Sequence, residues 1–156
     1  MNKLKLTLLL SVLSFAFTTP RGEILCSIPK KYDHVSIYIN SIWDQTEACS
    51  EKYNIPHGLI IAQCCLESKY GASRLAKFNN HLGIKFEGKY AHFETFKQCL
   101  DVYGRTLARD KYQKWGCQSL PCWLFLLDEN CYHFGGNKYT KKMNWIIKTF
   151  NLNLIK

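Results

Sequence analysis

The chain has 156 residues, of which 47% are hydrophobic and 21% charged, and this composition suits one globular domain with its own core. It contains no internal repeat and no low-complexity linker. The formal net charge of +9 predicts attraction to polyanions. The positive charges are scattered and no nucleic-acid-binding motif accompanies them, so we expect no nucleic-acid partner.

The N-terminal segment has the layout of a secretory signal peptide. Lys3 and Lys5 form a positive head, and the apolar run LTLLLSVLSFAF follows at residues 6–17. This run is short for a membrane-spanning helix, which needs about 20 apolar residues. We therefore predict a signal peptide at residues 1–18 and one domain at residues 19–156. The protein is then secreted or periplasmic, without stable membrane insertion after cleavage; an uncleaved membrane anchor is the alternative.

Two helical patterns come next in the chain. Residues 34–53 carry apolar side chains near helical spacing, beginning with Tyr38 and its neighbours. Pro56 suits the first turn of a second helix. We expect this second helix to run to Ser68 and to end before the turn at residues 70–71.

The segment FNNHLGIKFEGKYAHF at residues 78–93 differs from its surroundings because it is rich in turn-forming residues. Short β-like runs at residues 82–86 and 89–93 flank the pair Glu87 and Gly88. This arrangement predicts a small β-hairpin.

Three further helices are predicted after the hairpin. Thr95 and Gln98 have the spacing of a capping box and open the first of them. A buried helix begins near Ser119 and ends at the glycine pair of residues 135–136, and the last helix covers KYTKKMNWIIKTF at residues 138–150. The whole pattern predicts a mainly α single domain with one small hairpin inserted.

An even number of cysteines in an exported chain indicates disulfide bonds. Cys64 and Cys65 are neighbours on the predicted second helix and point about 100° apart, so we expect them to be free, buried thiols. We predict at least one disulfide that involves Cys117, Cys122 or Cys131. The cysteine and histidine spacings do not match a zinc site, and we expect no metal. The eight cysteines are Cys26, Cys49, Cys64, Cys65, Cys99, Cys117, Cys122 and Cys131.

Glu67 is a lone acid near the end of the apolar second helix. At helical spacing it shares a face with Gln63, Cys64 and Ile60. A carboxyl group beside apolar side chains holds its proton to higher pH than one in water, which is what a general acid in glycoside cleavage needs. The alternative is a solvated acid at a helix end, although negative charge is slightly unfavourable near a helix C-terminus.

The order of the motifs resembles the glucosaminidase family of peptidoglycan hydrolases, glycoside hydrolase family 73. The resemblance covers residues 38–154, and Leu66-Glu67-Ser68 is weak evidence until it is combined with the NNHLGIK turn. The motifs are YNIPHGLIIAQCCLESKYGAS, NNHLGIK, HFETFKQCLDVYGRTL and KYTKKMNWIIKTFNL.

The resemblance implies a lysozyme-like α+β fold whose small β-hairpin lobe lies across the cleft. It implies that Glu67 is the general acid and that Tyr139, in the last helix, lines the site. The family often carries a second catalytic carboxylate in the lobe, for which Glu87 is the candidate; a polar turn residue is the alternative for Glu87. The residues with an implied substrate contact are Asn80, Tyr70 and Tyr132.

The resulting expectation is a monomeric, exported peptidoglycan hydrolase that cleaves the β-1,4 N-acetylglucosaminyl bonds of glycan strands without a cofactor. One alternative is a muramidase or lytic transglycosylase, and another is a catalytically silent wall-binding protein. A cysteine peptidase or amidase using Cys64 or Cys65 with His57 or His81 is disfavoured. Mid-helix thiols in an apolar run lack the surroundings that make a thiolate.

Overall fold

The computed structural model describes residues 20–113, 115–129 and 137–155, so the predicted signal peptide, Cys131 and Tyr132 lie outside it. Short 3-10 helices occur at Lys30–Tyr32, Ala76–Phe78 and Leu152–Leu154. The main elements in chain order are α1 (Pro20–Ser27), α2 (Asp33–Tyr53), α3 (His57–Ser68), β1 (Lys85–Phe86), β2 (Lys89–Tyr90), α4 (Phe96–Leu107), α5 (Asp110–Gln113), α6 (Leu120–Glu129) and α7 (Asn137–Thr149).

Helix α3 lies at the centre of the domain. It packs against α2, α6, α7 and the C-terminal 3-10 turn, and every residue from His57 to Cys65 is buried. Gly58 permits the close approach of the C-terminal 3-10 turn, because a Cβ atom there would overlap with the carbonyl oxygen of Leu152. A helix enclosed on all sides explains why its sequence is apolar without an amphipathic pattern.

The predicted ends of the first two helices agree with the structure, whereas the end predicted at residues 135–136 lies outside the described residues. Asn54 ends α2 in the left-handed conformation, with a φ of 52°, and Lys69 ends α3 in the same way, with a φ of 51°. At the start of α4, the Thr95 hydroxyl accepts a hydrogen bond from the Gln98 backbone N–H at 3.3 Å. The Gln98 side chain reaches back and accepts from the Glu94 backbone N–H at 2.9 Å, so the capping interaction is formed.

The hairpin is present but its strands are shorter than predicted, with two residues each. Lys85 pairs with Tyr90 and Phe86 with Lys89. The two-residue turn between them has positive φ at both positions, 49° at Glu87 and 80° at the following glycine, as type I′ turns require.

Helix α1 was not predicted, and it docks through Ile24, which is fully buried. Arg21 anchors it to α2 with an ion pair to Asp44 at 2.6 Å and a hydrogen bond to the Asn40 side chain at 3.0 Å. The short helix α5 was also not predicted. Within the described ranges, none of the helices combines the length and the apolar content that crossing a membrane requires.

The predictions on the thiols are confirmed. Cys117 and Cys122 form a disulfide whose Cα atoms lie 5.5 Å apart. Cys64 and Cys65 are free and fully buried. Burial raises the pKa of both of these thiols, which disfavours a cysteine nucleophile at this place.

Candidate active site

A cavity of about 460 Å³ lies between the hairpin and α4, and Glu67 forms part of its wall. A larger cavity of about 610 Å³ lies between the α2–α3 loop and the disulfide segment. We take the smaller cavity as the candidate site because its polar groups surround a partly buried acid. Its lining residues are Glu67, Leu82, Gly83, Ile84, Lys85, Phe86, Tyr90, Val102, Tyr103, Thr106 and Arg109.

Glu67 lies in the last turn of α3 and is neither fully buried nor fully exposed. The hairpin approaches it through Gly83, whose φ is +63°. A Cβ atom on Gly83 would lie 3.0 Å from Glu67 Oε2. A glycine is therefore required here both by the left-handed backbone and by the closeness of the carboxyl group.

Three side chains from three helices form a hydrogen-bonded chain that leads to Glu67. The Tyr103 hydroxyl donates to Gln63 Oε1, and Gln63 Nε2 donates to the Tyr139 hydroxyl oxygen at 2.9 Å. Tyr139 is in turn within hydrogen-bonding range of the Glu67 carboxyl group. Burial raises the pKa of the Tyr139 phenol, and the charge of Glu67 raises it further. The phenol therefore keeps its proton and can donate it in a hydrogen bond.

Asn80 lies beneath the hairpin, with none of its surface exposed. Its Nδ2 donates to the carbonyl oxygens of Ile84 and Ala91, each at 2.8 Å, and its Oδ1 accepts from the Ile84 backbone N–H at 2.8 Å. The side chain is thus occupied in holding the two arms of the hairpin together. This structural role accounts for Asn80 at this position, and it does not require the predicted substrate contact.

The other predicted site residues are placed differently. Glu87 is exposed at the hairpin turn and is not among the residues that line the cavity. Tyr70 also lies outside this lining, because its ring packs edge-on against Phe150, with the ring centres 6.1 Å apart. Tyr132 lies outside the described residues.

Two exposed aromatic rings on the hairpin were not predicted as site residues. Phe86 is 55% exposed and Tyr90 is 50% exposed, and both line the cavity. The ammonium group of Lys85 lies 4.5 Å from the centre of the Tyr90 ring. Arg109 adds a second cation to the wall. The available sequence signal was the presence of two aromatic residues in very short strands, because such strands offer large side chains little core to enter.

A second polar cluster holds the end of α3 in place behind the site. The Ser68 hydroxyl donates to the Tyr38 hydroxyl at 2.9 Å and accepts from the Gly71 backbone N–H at 2.7 Å. The Tyr38 hydroxyl is also 2.8 Å from His81 Nδ1. Burial lowers the pKa of His81, which favours the neutral ring that can accept this hydrogen bond.

No group of three or more histidine, cysteine, aspartate or glutamate side chains is placed to hold a metal ion in the part of the chain that the structure describes. A partly buried carboxyl group beside a phenol donor can give a proton to a ligand in the cleft.

The family model described as mannosyl-glycoprotein endo-beta-N-acetylglucosaminidase matches residues 43–152. The chain is 32% identical over 89 residues to the exo-glucosaminidase LytG of Bacillus subtilis (strain 168). That match covers 55% of this chain but only 31% of LytG, so the chain corresponds to about a third of that curated relative.

Two solved structures share the fold. The catalytic domain of the autolysin Auto from Listeria monocytogenes aligns with a TM-score of 0.66 and 24% identity, covering 89% of this chain and 97% of that domain. The glycoside hydrolase domain of FlgJ from Salmonella typhimurium aligns with a TM-score of 0.63 and 18% identity, covering 75% of this chain and 88% of that domain. The predicted lysozyme-like α+β fold with a small hairpin lobe is confirmed.

Proposed function

Because the chain belongs to the glucosaminidase family, we propose that it is an exported peptidoglycan hydrolase that cleaves β-1,4 N-acetylglucosaminyl bonds of the glycan. The name of the relative LytG, an exo-glucosaminidase, supports a glycan substrate of this kind. The basic composition of the chain supports association with an anionic cell envelope.

The observation that carries the proposal is the position of Glu67 in the cleft. It lies at the junction of α3 and the hairpin, against Gly83 and within hydrogen-bonding range of Tyr139. In the proposed reaction Glu67 gives its proton to the glycosidic oxygen as the bond to the anomeric carbon breaks. The leaving sugar departs as an alcohol. The oxygen of a water molecule then bonds to the anomeric carbon, and the proton that this water loses restores the acid form of Glu67.

The hairpin supplies the proposed binding surface for the sugar rings. Phe86 and Tyr90 present exposed aromatic faces to the cleft, and sugar rings can lie against such faces while their hydroxyl groups remain solvated. Arg109 and Lys85 are suited to the carboxylates of peptidoglycan.

The test is digestion of purified peptidoglycan by the wild-type protein and by the variants Glu67→Gln and Glu51→Gln. Glu67→Gln keeps the shape of the side chain and removes the transferable proton, so we expect activity to fall by at least about a hundredfold. Glu51, an exposed glutamate on α2, is the matched control and should retain full activity when changed. Unaltered thermal unfolding of both variants shows that the fold is intact.

Analysis of the reaction products separates the competing functions. New reducing ends that carry N-acetylglucosamine support the proposal. Anhydro-muramyl ends indicate a lytic transglycosylase, and muramic acid at the reducing ends indicates a muramidase. Binding to the wall without any product indicates a silent wall-binding protein. A folded Glu67→Gln variant that remains fully active rejects Glu67 as the acid.

A further inference from the structure

Gln63 places a polar amide where only 1% of the residue is exposed. It lies one helical turn before Glu67 on α3, so the two side chains leave the helix on the same side. A buried amide destabilises a protein unless both of its ends find partners. Here Tyr103 donates to the oxygen end, and the nitrogen end donates to Tyr139.

The amide imposes a direction on this chain of hydrogen bonds. Its Oε1 atom can only accept and its Nε2 atom can only donate. The proton of Tyr103 occupies Oε1, which turns Nε2 toward Tyr139. Because the Tyr139 oxygen receives a proton from Gln63, its own proton points to another acceptor, and the Glu67 carboxyl group is within range.

We propose that Gln63 is a positioning residue of the reaction, which acts through Tyr139 by holding that phenol as a hydrogen-bond donor to Glu67. This inference rests on the proposed role of Glu67 as the general acid. With one carboxyl oxygen engaged by Tyr139, the transferable proton is carried by the other oxygen. After the proton has moved to the glycosidic oxygen, the same hydrogen bond stabilises the carboxylate that remains on Glu67.

A double-mutant cycle tests whether Gln63 acts through Tyr139. We expect Gln63→Leu to lower kcat by at least about tenfold in the wild-type protein, as a small displacement of a catalytic group does, with little change in KM. In the Tyr139→Phe background the same change should lower kcat by less than about twofold. Equal effects in the two backgrounds would overturn the proposal.

The matched control is Thr46→Val, which also removes a buried hydrogen bond. The Thr46 hydroxyl lies 2.8 Å from Nε2 of His57 at the far end of α3, ten residues before Glu67. Ten residues of helix correspond to about 15 Å. We expect Thr46→Val to lower stability without changing kcat. If it lowers kcat as much as Gln63→Leu does, the loss reflects destabilisation and the proposal is wrong.

The variant Gln63→Glu tests the proposal through the pH dependence of activity, which would not change if Gln63 had a purely structural role. While the introduced carboxyl group is protonated, it can accept from Tyr103 and donate to Tyr139, as the amide does. Once ionised it can only accept, and it then draws the proton of Tyr139 away from Glu67. We expect this variant to be more active than Gln63→Leu at acidic pH and to lose that advantage as the introduced carboxyl group ionises. The ionisation of that group is measured by ¹³C NMR. Activity that does not depend on this ionisation would contradict the proposal.

The same spectra follow the Glu67 carboxyl carbon without any turnover. In Gln63→Glu we expect its titration midpoint to lie at least about half a pH unit above that of the wild type. The shift should be smaller in the Tyr139→Phe background. There the introduced carboxylate still repels the Glu67 carboxylate, but no phenol proton can be drawn away from Glu67. An unchanged midpoint overturns the role of Gln63. If the midpoint shifts but the protein cleaves no peptidoglycan, Gln63 does position Tyr139 against Glu67, and only the proposed function is rejected.

Discussion

The close approach of the hairpin to Glu67 makes Gly83→Ala the sharpest test of the site geometry. The φ of +63° at Gly83 is unfavourable for a residue with a Cβ atom. The alanine variant should therefore lose about 1–2 kcal/mol of stability. The new Cβ atom would also lie 3.0 Å from Glu67 Oε2, so the carboxyl group must move by a few tenths of an ångström. We expect kcat to fall about tenfold or more, because catalysis depends steeply on the position of the acid.

Gly116→Ala is the matched control for backbone strain. Gly116 has a φ of +60°, and an added Cβ atom would meet no other atom within 4 Å. Both variants should lose a similar free energy of unfolding in urea, but only Gly83→Ala should release reducing sugar from peptidoglycan more slowly. Equal kcat values for the two variants would refute the argument that Gly83 is needed to place Glu67.

Three further predictions concern groups outside the centre of the cleft. Burial lowers the pKa of His57 to about 4, against about 6.5 when unfolded, so this group favours unfolding as pH falls. It should remove about 2 kcal/mol of stability between pH 7 and pH 5, a loss seen in urea titrations of the wild type and absent in His57→Gln. Glu87→Gln should keep peptidoglycan cleavage within a few-fold, because the side chain is exposed at the turn; a severe loss would identify it as a second catalytic acid. Replacing Cys117 and Cys122 by serine should lower the unfolding free energy by about 2 kcal/mol and leave kcat unchanged; unchanged stability would show that this bond does not constrain the unfolded chain.

Sequence patterns predicted the elements whose signals are local. Helices α3 and α4 begin at residues with proline or capping chemistry, Pro56 and Thr95, and helices α2 and α3 end at residues in the left-handed conformation. Helix α1 lacks such a pattern, since it docks through Ile24 and a distant ion pair between Arg21 and Asp44. Its stability comes from tertiary contacts that no short window of sequence contains.

The site was predictable only in part for the same reason. Glu67 stands out in its own helix, and the structure places it in the wall of a cleft, while its role as the acid stays a prediction. The partners of Gln63 are 40 and 76 residues away in the chain, at Tyr103 and Tyr139. Tyr103 had the spacing of an ordinary core residue of α4, so its hydroxyl group gave no sign of a hydrogen-bonding role. An amide in an apolar run, one turn before an acid, was the signal that the sequence offered.

The hairpin shows how a very small β lobe can still form one wall of a cleft. Two-residue strands provide too few ladder hydrogen bonds to fix their own position. Asn80 supplies the missing bonds from below by joining the backbone of Ile84 to that of Ala91. One buried amide thereby replaces a longer ladder. It thereby holds the strands that carry Phe86 and Tyr90, two exposed aromatic residues that line the same cavity as Glu67.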